Sequence, residues 1–436
     1  MTATAVRGHA ISFRGDPFLV ADALIDIEDA LILTEDGIIT AFGPWVQFRD
    51  RVPDGVDVVH YPDAILCAGF VDTHVHYVQT AIIGAFGAQL IDWLNSYTFK
   101  AEQRFADRAH AQAAATVFFD ALLANGTTTA LAFAAMYPQS VDAFFEESLR
   151  RGTRMIGGKV LMDRNAPEPL LDSPQTGYDD SKALIAKWHG RGRNQYAITP
   201  RFAPTSSPKQ LELAGTLWRE SPGTYVHTHV SENLNEISWV RELFPERSGY
   251  LDVYDHYGLL GPRTVLAHGV HLTDAERRRV FDAGAAIAHC PTSNLFLGSG
   301  LFALGAAKDP AAPLHVGFGT DIGAGTTFSL LTTMNEAYKV AALNSYRLDA
   351  VKSFYLATLG GATALALDDK IGSLAVGKEA DFIVLDTKAT PLLEYRTAHT
   401  DSVEELLFVL SIMGDDRAVA ATYIAGTPAY LRHAAR

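Results

Sequence analysis

Cysteine is nearly absent from this chain: 436 residues carry only Cys67 and Cys290, and no C-x-x-C pair exists. That excludes a disulfide framework and leaves two reduced, buried thiols of a cytoplasmic protein as the expectation. Positive charge is also short, with 36 Lys and Arg against 50 Asp and Glu and a net charge of −14. Such a surface repels nucleic acid and anionic lipid, so neither is an expected partner, whereas a small neutral or cationic substrate meets no penalty. The acidic residues are spread along the chain rather than gathered in a tail, as on a solvated surface. No apolar run reaches about 18 residues without a charge or polar break, so no membrane span is expected. The opening MTATAVRGHAISFRGD lacks the apolar stretch of a signal peptide. Short-period repeats and low-complexity segments are absent too.

What is present is apolar mass. Hydrophobic residues make up 48% of the chain, enough for one barrel-sized domain plus a smaller one. The two ends read as β-rich. AISFRG, ALILTEDGIITAFG and VDVVHYPDAILCAG hold β-branched runs broken by Asp-Gly and Gly-Asp pairs. Near the other end, GSLAVGKEADFIVLD suggests two short strands around a Gly-Lys turn, DSVEELLFVLSI a helix, and TYIAGTPAY a hairpin. Residues 1–68 and 370–436 are therefore expected to form one small discontinuous, β-sandwich-like domain.

Residues 69–369 alternate. Eight apolar strand-like runs, GFVDTHVH, TTTALAF, MIGGKVLMD, YAITPRFA, TYVHTHVSE, TVLAHGVHL, AAIAHCPTSN and HVGFGTDIG, are separated by stretches with apolar residues at helical spacing. Several of these stretches end in glycine, as helices often do. The pattern predicts an α/β fold, a (β/α)8 TIM-type barrel whose functional residues lie at the C-terminal strand ends.

The polar residues at those ends carry the functional signal. His74 and His76 are two apart on a strand, so both side chains share a face and can reach one ion, with Val75 opposite. A lone His-x-His is weak, since a solvated strand supplies it by chance. Here the preceding residues are apolar, which places the pair at a buried edge where imidazoles need partners. His229, His268 and Asp321 end other runs. Two or three histidines plus a carboxylate suit Zn2+ or Fe2+ with a position left for water. His227 reads as a packed neighbour rather than a ligand, and His289 as either a pocket wall or a structural residue. Glu232, three residues after His229, is placed to move protons, or to complement the dipole of the helix it precedes. Lys159 sits early in its run and reads as structural, so one metal ion is expected, not two.

GFVDTHVH, HTHVSE, VLAHG and GTD, followed by ATLGGATALALDDKIGSLAVGKEADFIVLD, resemble the amidohydrolase superfamily, with its metal-binding barrel and flanking small β-domain. DTHVHYVQT, DWLNSYTFKAEQRF, NGTTTALAFA, GKVLMDRNAPE, TPRFAPTSS, HVSENLNEI and AHCPTSNLFLGSG resemble its guanine deaminase family in particular. The resemblance covers nearly the whole chain and is looser over the first 68 residues and 388–436. It implies one zinc ion per subunit, with iron(II) as the alternative, held by His74, His76, His229 and Asp321. It implies that Gln79, Arg201, Phe202, His229 and Glu232 face a purine, that His268 sits beside the metal, and that the protein is a homodimer acting in purine catabolism.

The side-chain chemistry fits that reading. Guanine shows two acceptors, O6 and N7, on one edge, and an arginine fork such as Arg201 addresses such an edge in two places. Gln79 both donates and accepts. Trp93 and Phe202 are candidates to enclose the ring, and each is equally a core aromatic. The expected chemistry is hydrolytic deamination of guanine to xanthine and ammonia. Asp321 would accept the water proton, His268 would orient the nucleophile, and Glu232 would protonate the ring nitrogen beside C2 and then the departing amine. Two alternatives stand beside it. One is a related amidohydrolase that deaminates or dechlorinates another amino-heterocycle, of triazine or nucleoside type. The other is a non-catalytic assembly protein.

Overall fold

The computed structural model describes residues 3–86 and 89–432. The two chain ends meet in one seven-stranded sheet. Its order is Thr427–Leu431, Val419–Ile424, Phe382–Asp386, Val58–Ala68, Ala3–Phe13, Leu24–Glu35 and Ile38–Pro44. Val58–Ala68 is the join: it pairs in parallel with Ala3–Phe13 and antiparallel with Phe382–Asp386. The hairpin at Asp36-Gly37 has positive φ at both residues, 47° and 84°, the geometry that matches the twist of its flanking strands. TYIAGTPAY forms the expected hairpin, and DSVEELLFVLSI the expected helix, Val403–Met413.

GSLAVGKEADFIVLD departs from expectation, supplying one strand, Phe382–Asp386, instead of two. The preceding residues are held as a turn, with Lys378 N–H donating to Ala375 (3.2 Å) and Gly377 N–H to Ile39 (2.9 Å). Gly377 adopts φ 90°, outside the strand region. The chain leaves the small sheet at Ala68 and enters the barrel at Phe70.

The barrel has eight parallel strands: Phe70–His76, Thr127–Phe133, Arg154–Gly158, Gln195–Pro200, Tyr225–Val230, Thr264–His268, Ala286–His289 and His315–Phe318. MIGGKVLMD, read as one strand, splits at Lys159. Its second part, Val160–Leu161, shifts onto the end of the next strand. Gly158 permits that crossing, because a side chain there would collide with the Ala197 carbonyl.

The seam between the last and first strands is closed where the site lies. Asp321 N–H donates to the His74 carbonyl (2.9 Å), His76 N–H to the Ile322 carbonyl (2.9 Å), and the Thr73 hydroxyl to the Phe318 carbonyl (2.9 Å).

Helices cover the outside with apolar faces such as Phe118, Phe119 and Leu122, each such burial contributing about 1.5–3 kcal/mol. Gly152 and Gly284 end two of them in the left-handed region, at φ 69° and 67°, as the glycine pattern predicts. The floor of the barrel is packed solid. Val71, Leu131, Ile156 and Val265 meet Ala362, Leu365 and Leu367 from the segment returning to the small sheet. The Tyr225 hydroxyl donates to the Leu365 carbonyl at 2.7 Å. With the floor filled, the C-terminal mouth is the end of the barrel where this fold builds a site. Among the described residues, no helix is long and apolar enough to cross a membrane.

Candidate active site

His74 and His76 both turn inward at the end of the first strand, while Val75 packs outward among the helices. The other strand-end residues converge on them. His74 Nε2 and His76 Nε2 lie 3.1 and 3.2 Å from Asp321 Oδ1 and 3.2 Å from one another. His229 Nε2 is 3.3 Å from His76 Nε2. An ion with ~2.0–2.1 Å bonds to four tetrahedral ligands separates them by about 3.3 Å, so these spacings are those of a coordination sphere.

The far sides of the rings support the same orientation. His229 Nδ1 is 2.7 Å from the Arg201 carbonyl, which can only accept, so Nδ1 carries the proton and Nε2 presents its lone pair inward. His74 Nδ1 meets His227 Nε2 at 2.7 Å. His227 is thus a neighbour that fixes a ring. Burial holds His76 down to about 3 and lowers His74, His227 and His229 as well, towards the neutral form that binds a cation. Burial pushes the Asp321 carboxyl up, but the imidazoles of His74, His76 and His268 outweigh it and hold the group well below its ordinary range.

The grouping His74, His229, His268 and Asp321 has one ligand atom from each residue within 4.8 Å of the others and could hold a metal ion. The two sets differ in His76 against His268. The contacts of His76 are shorter, whereas His268 Nε2 is 3.7 Å from Asp321 Oδ2 and 3.4 Å from Glu232 Oε2. His268 therefore bridges the cluster and the Glu232 carboxyl. Lys159 is elsewhere: its ammonium pairs with Asp172, away from the histidines.

Strained backbone aims several of these groups. Ser231, His268 and Asp321 have φ of 48°, 72° and 51°, a region that costs side-chain-bearing residues about 1–3 kcal/mol and is kept where the surroundings impose it.

Glu232 sits at the turn before the helix Leu234–Leu243, whose N-cap is Asn233 and whose first-turn acid is Glu236. Its carboxyl is free of capping duty. Burial raises it to about 8, with the Asp321 charge adding and the Ser299 hydroxyl (3.0 Å) opposing, so it is largely protonated at neutral pH.

Beside the cluster lies a pocket walled by Gln79, Trp93, Arg201, Phe202, Glu232 and His268, with His76, His229 and Asp321 also lining it. The sequence-predicted residues are thus brought together, with His74 directly beneath. His289 lies outside the pocket wall, stacked on Phe302 with ring centroids 4.6 Å apart.

Several residues in contact with this set escaped the sequence reading, and three of them bond to its side chains through their own. Asn294 Oδ1 holds His268 Nδ1 at 2.9 Å, Ser299 holds Glu232, and Glu102 accepts from both Arg201 and Gln79. All three lie in segments that carried the family resemblance. The available signal was the need of a buried arginine for an acidic partner, which spacing alone does not locate.

Known proteins resemble this chain along nearly its whole length. Residues 65–429 match the amidohydrolase family. The chain is 50% identical over 435 residues to the guanine deaminase of Escherichia coli K12, covering 99% of each. It is 39% identical to a probable guanine deaminase of Deinococcus radiodurans, covering 98% of this chain and 99% of that protein. The solved structure of the E. coli guanine deaminase superposes with a TM-score of 0.95 at 49% identity, covering 99% of this chain and 100% of that one. A guanine deaminase from C. acetobutylicum with guanine bound in its active site superposes at 0.88 with 28% identity, covering 98% of this chain and 100% of that one.

Proposed function

The chain belongs to the amidohydrolase family, and on that premise we propose that it hydrolyses guanine to xanthine and ammonia. The observation that carries this reading is the meeting in one buried pocket of a histidine–aspartate cluster, a carboxyl raised to about 8, and the Arg201–Gln79 pair. The 50% identical relative is a guanine deaminase along its full length, which supports guanine over other amino-heterocycles.

His74, His76, His229 and Asp321 would hold one zinc ion, and the same donors accept iron(II). When bound, such an ion supplies Lewis acidity that makes a water nucleophilic near pH ~7.

The protein's own groups then divide the work. Arg201 and Gln79 bind the polar edge of the purine, and Trp93 and Phe202 enclose its faces. Asp321 takes the proton of the attacking water. His268, oriented by Asn294, steadies the charge that develops as oxygen adds to C2. Glu232 gives its proton to the ring nitrogen beside C2, which receives the electron pair displaced from the ring; it then takes the proton of the added hydroxyl as C2=O forms and delivers it to the departing amine, and the proton held by Asp321 returns to Glu232. One water is consumed, the C2–N bond breaks, and ammonia leaves.

The test is ammonia release from guanine by zinc-supplied protein, run beside adenine, pterins and triazines. Release from guanine with xanthine as product is expected. No release from guanine, or faster release from a triazine, would overturn the assignment.

A further inference from the structure

We propose that Glu102 is a positioning residue that sets recognition of the purine's oxygen-bearing edge, an inference that rests on the guanine reading above. Glu102 is fully buried on the short helix Phe99–Gln103. It is not among the residues walling the pocket, so it acts through others. Its two oxygens accept from Arg201 Nη1 at 3.0 and 2.8 Å. Its Oε1 also accepts from Gln79 Nε2 at 3.0 Å.

The opposite end of Gln79 is fixed as well, because Oε1 accepts from the Gly323 N–H at 3.2 Å. A carboxylate only accepts and a backbone N–H only donates, so the Gln79 amide has one permitted orientation. One amide hydrogen and one lone pair remain to face a ligand.

Arg201 is constrained in the same way. Glu102 holds Nη1 and leaves the rest of the fork to the pocket. The Phe99 ring lies 5.6 Å from the guanidinium carbon. Phe99 and Glu102 are three apart on one helical face. A single helical turn thus supplies both the aromatic floor and the counter-charge for Arg201.

Gln79 follows the first strand and Arg201 the fourth. Glu102 hydrogen-bonds to both and ties them into a single donor–acceptor surface. A site built this way rejects a ligand lacking the matching oxygen, because its own buried donors would be left unpaired.

Glu102→Gln tests this. The substituted amide has one accepting oxygen and one donating nitrogen, so in either orientation its nitrogen faces Arg201 Nη1, and in one of the two it faces Gln79 Nε2 as well. The readout is kcat/KM for guanine against 2-aminopurine, which carries the same C2 amine and no O6. For Glu102→Gln, guanine should lose about 10- to 100-fold, mainly in KM, and 2-aminopurine less than about threefold, with bound metal unchanged. If the variant does not fold, Glu102→Asp, which keeps the two acceptors on a shorter stem, is read by the same ratio. An unchanged ratio, or an equal fall on both substrates, would overturn the proposal and assign Glu102 a purely structural role. Guanine turnover by the unsubstituted protein is measured separately. Its absence would sink the guanine reading, whereas normal turnover with an unmoved ratio would sink only the Glu102 inference.

Discussion

The ring of His229 and the backbone of Arg201 are tied together: His229 Nδ1 donates to the Arg201 carbonyl at 2.7 Å. One residue therefore serves two ends of the site. Its main chain orients the His229 imidazole, and its side chain reaches the pocket wall. The two services separate by substitution. Arg201→Lys keeps the carbonyl and a charge beside Glu102 but loses the planar fork. Metal content should be unchanged and KM for guanine should rise about 10- to 100-fold. Metal analysis with steady-state kinetics checks this, and a loss of metal would show that the side chain also supports the cluster.

Glu232→Gln removes the transferable proton and keeps the shape. The amide oxygen can still accept from Ser299, which lies 3.0 Å from Oε1. Turnover should fall about 10²- to 10⁴-fold, the range for a lost general acid, with metal and substrate affinity retained. Ser299→Ala should cost far less, since it loosens the carboxyl without removing it. Equal losses in the two variants would mean that Glu232 acts by holding the loop.

The strand-end logic explains what could be read from the sequence. His74, His76, His229 and His268 stand out because imidazoles after apolar runs need partners, and barrel topology collects all such ends at one mouth. Asp321 was legible for the same reason. Glu102 was not: it lies on a short helix outside the barrel alternation, and its partners come from two distant strands. Asn294 lies on the short helix Pro291–Phe296 and Ser299 in the loop that follows it, and neither stretch is long enough for a periodicity to mark a residue. The extra strand expected in GSLAVG failed because β-branched content does not reveal that Gly377 and Lys378 close a turn against Ile39.

Gly319 marks a place where packing and the site meet. A side-chain carbon there would lie 2.8 Å from Cys290 Sγ, 2.9 Å from His74 Cβ and 3.0 Å from the His74 carbonyl. That carbonyl accepts the Asp321 N–H that closes the barrel. Gly319→Ala should therefore cost about 1–3 kcal/mol by overpacking and lower metal content as His74 moves. Denaturant unfolding and metal analysis test both, and a stability loss with full metal occupancy would show that the strain relaxes towards Cys290 instead.

Glu236 offers a pH-dependent test. Its Oε2 accepts from the Glu232 and Asn233 N–H groups at 2.9 and 3.2 Å, and its Oε1 from the Tyr250 hydroxyl at 2.6 Å. Burial, and then the nearby Glu232, raise its carboxyl from 4.5 to about 7, against the Tyr250 and Asn233 hydrogen bonds. With the folded value above the unfolded one, the folded state binds more protons between those limits. The contribution to stability is fully present below pH ~4.5 and is lost as pH rises through about 7, a change on the order of a few kcal/mol. Glu236→Gln does not titrate, yet its oxygen can accept both N–H groups and its nitrogen can donate to Tyr250. The unfolding midpoint of the variant relative to the parent should therefore rise by a few °C between pH 5 and pH 8. Taking the difference removes the titration of other groups. A difference that stays flat, or that falls with pH, would mean the Glu236 carboxyl is already ionised in the folded protein at pH 5.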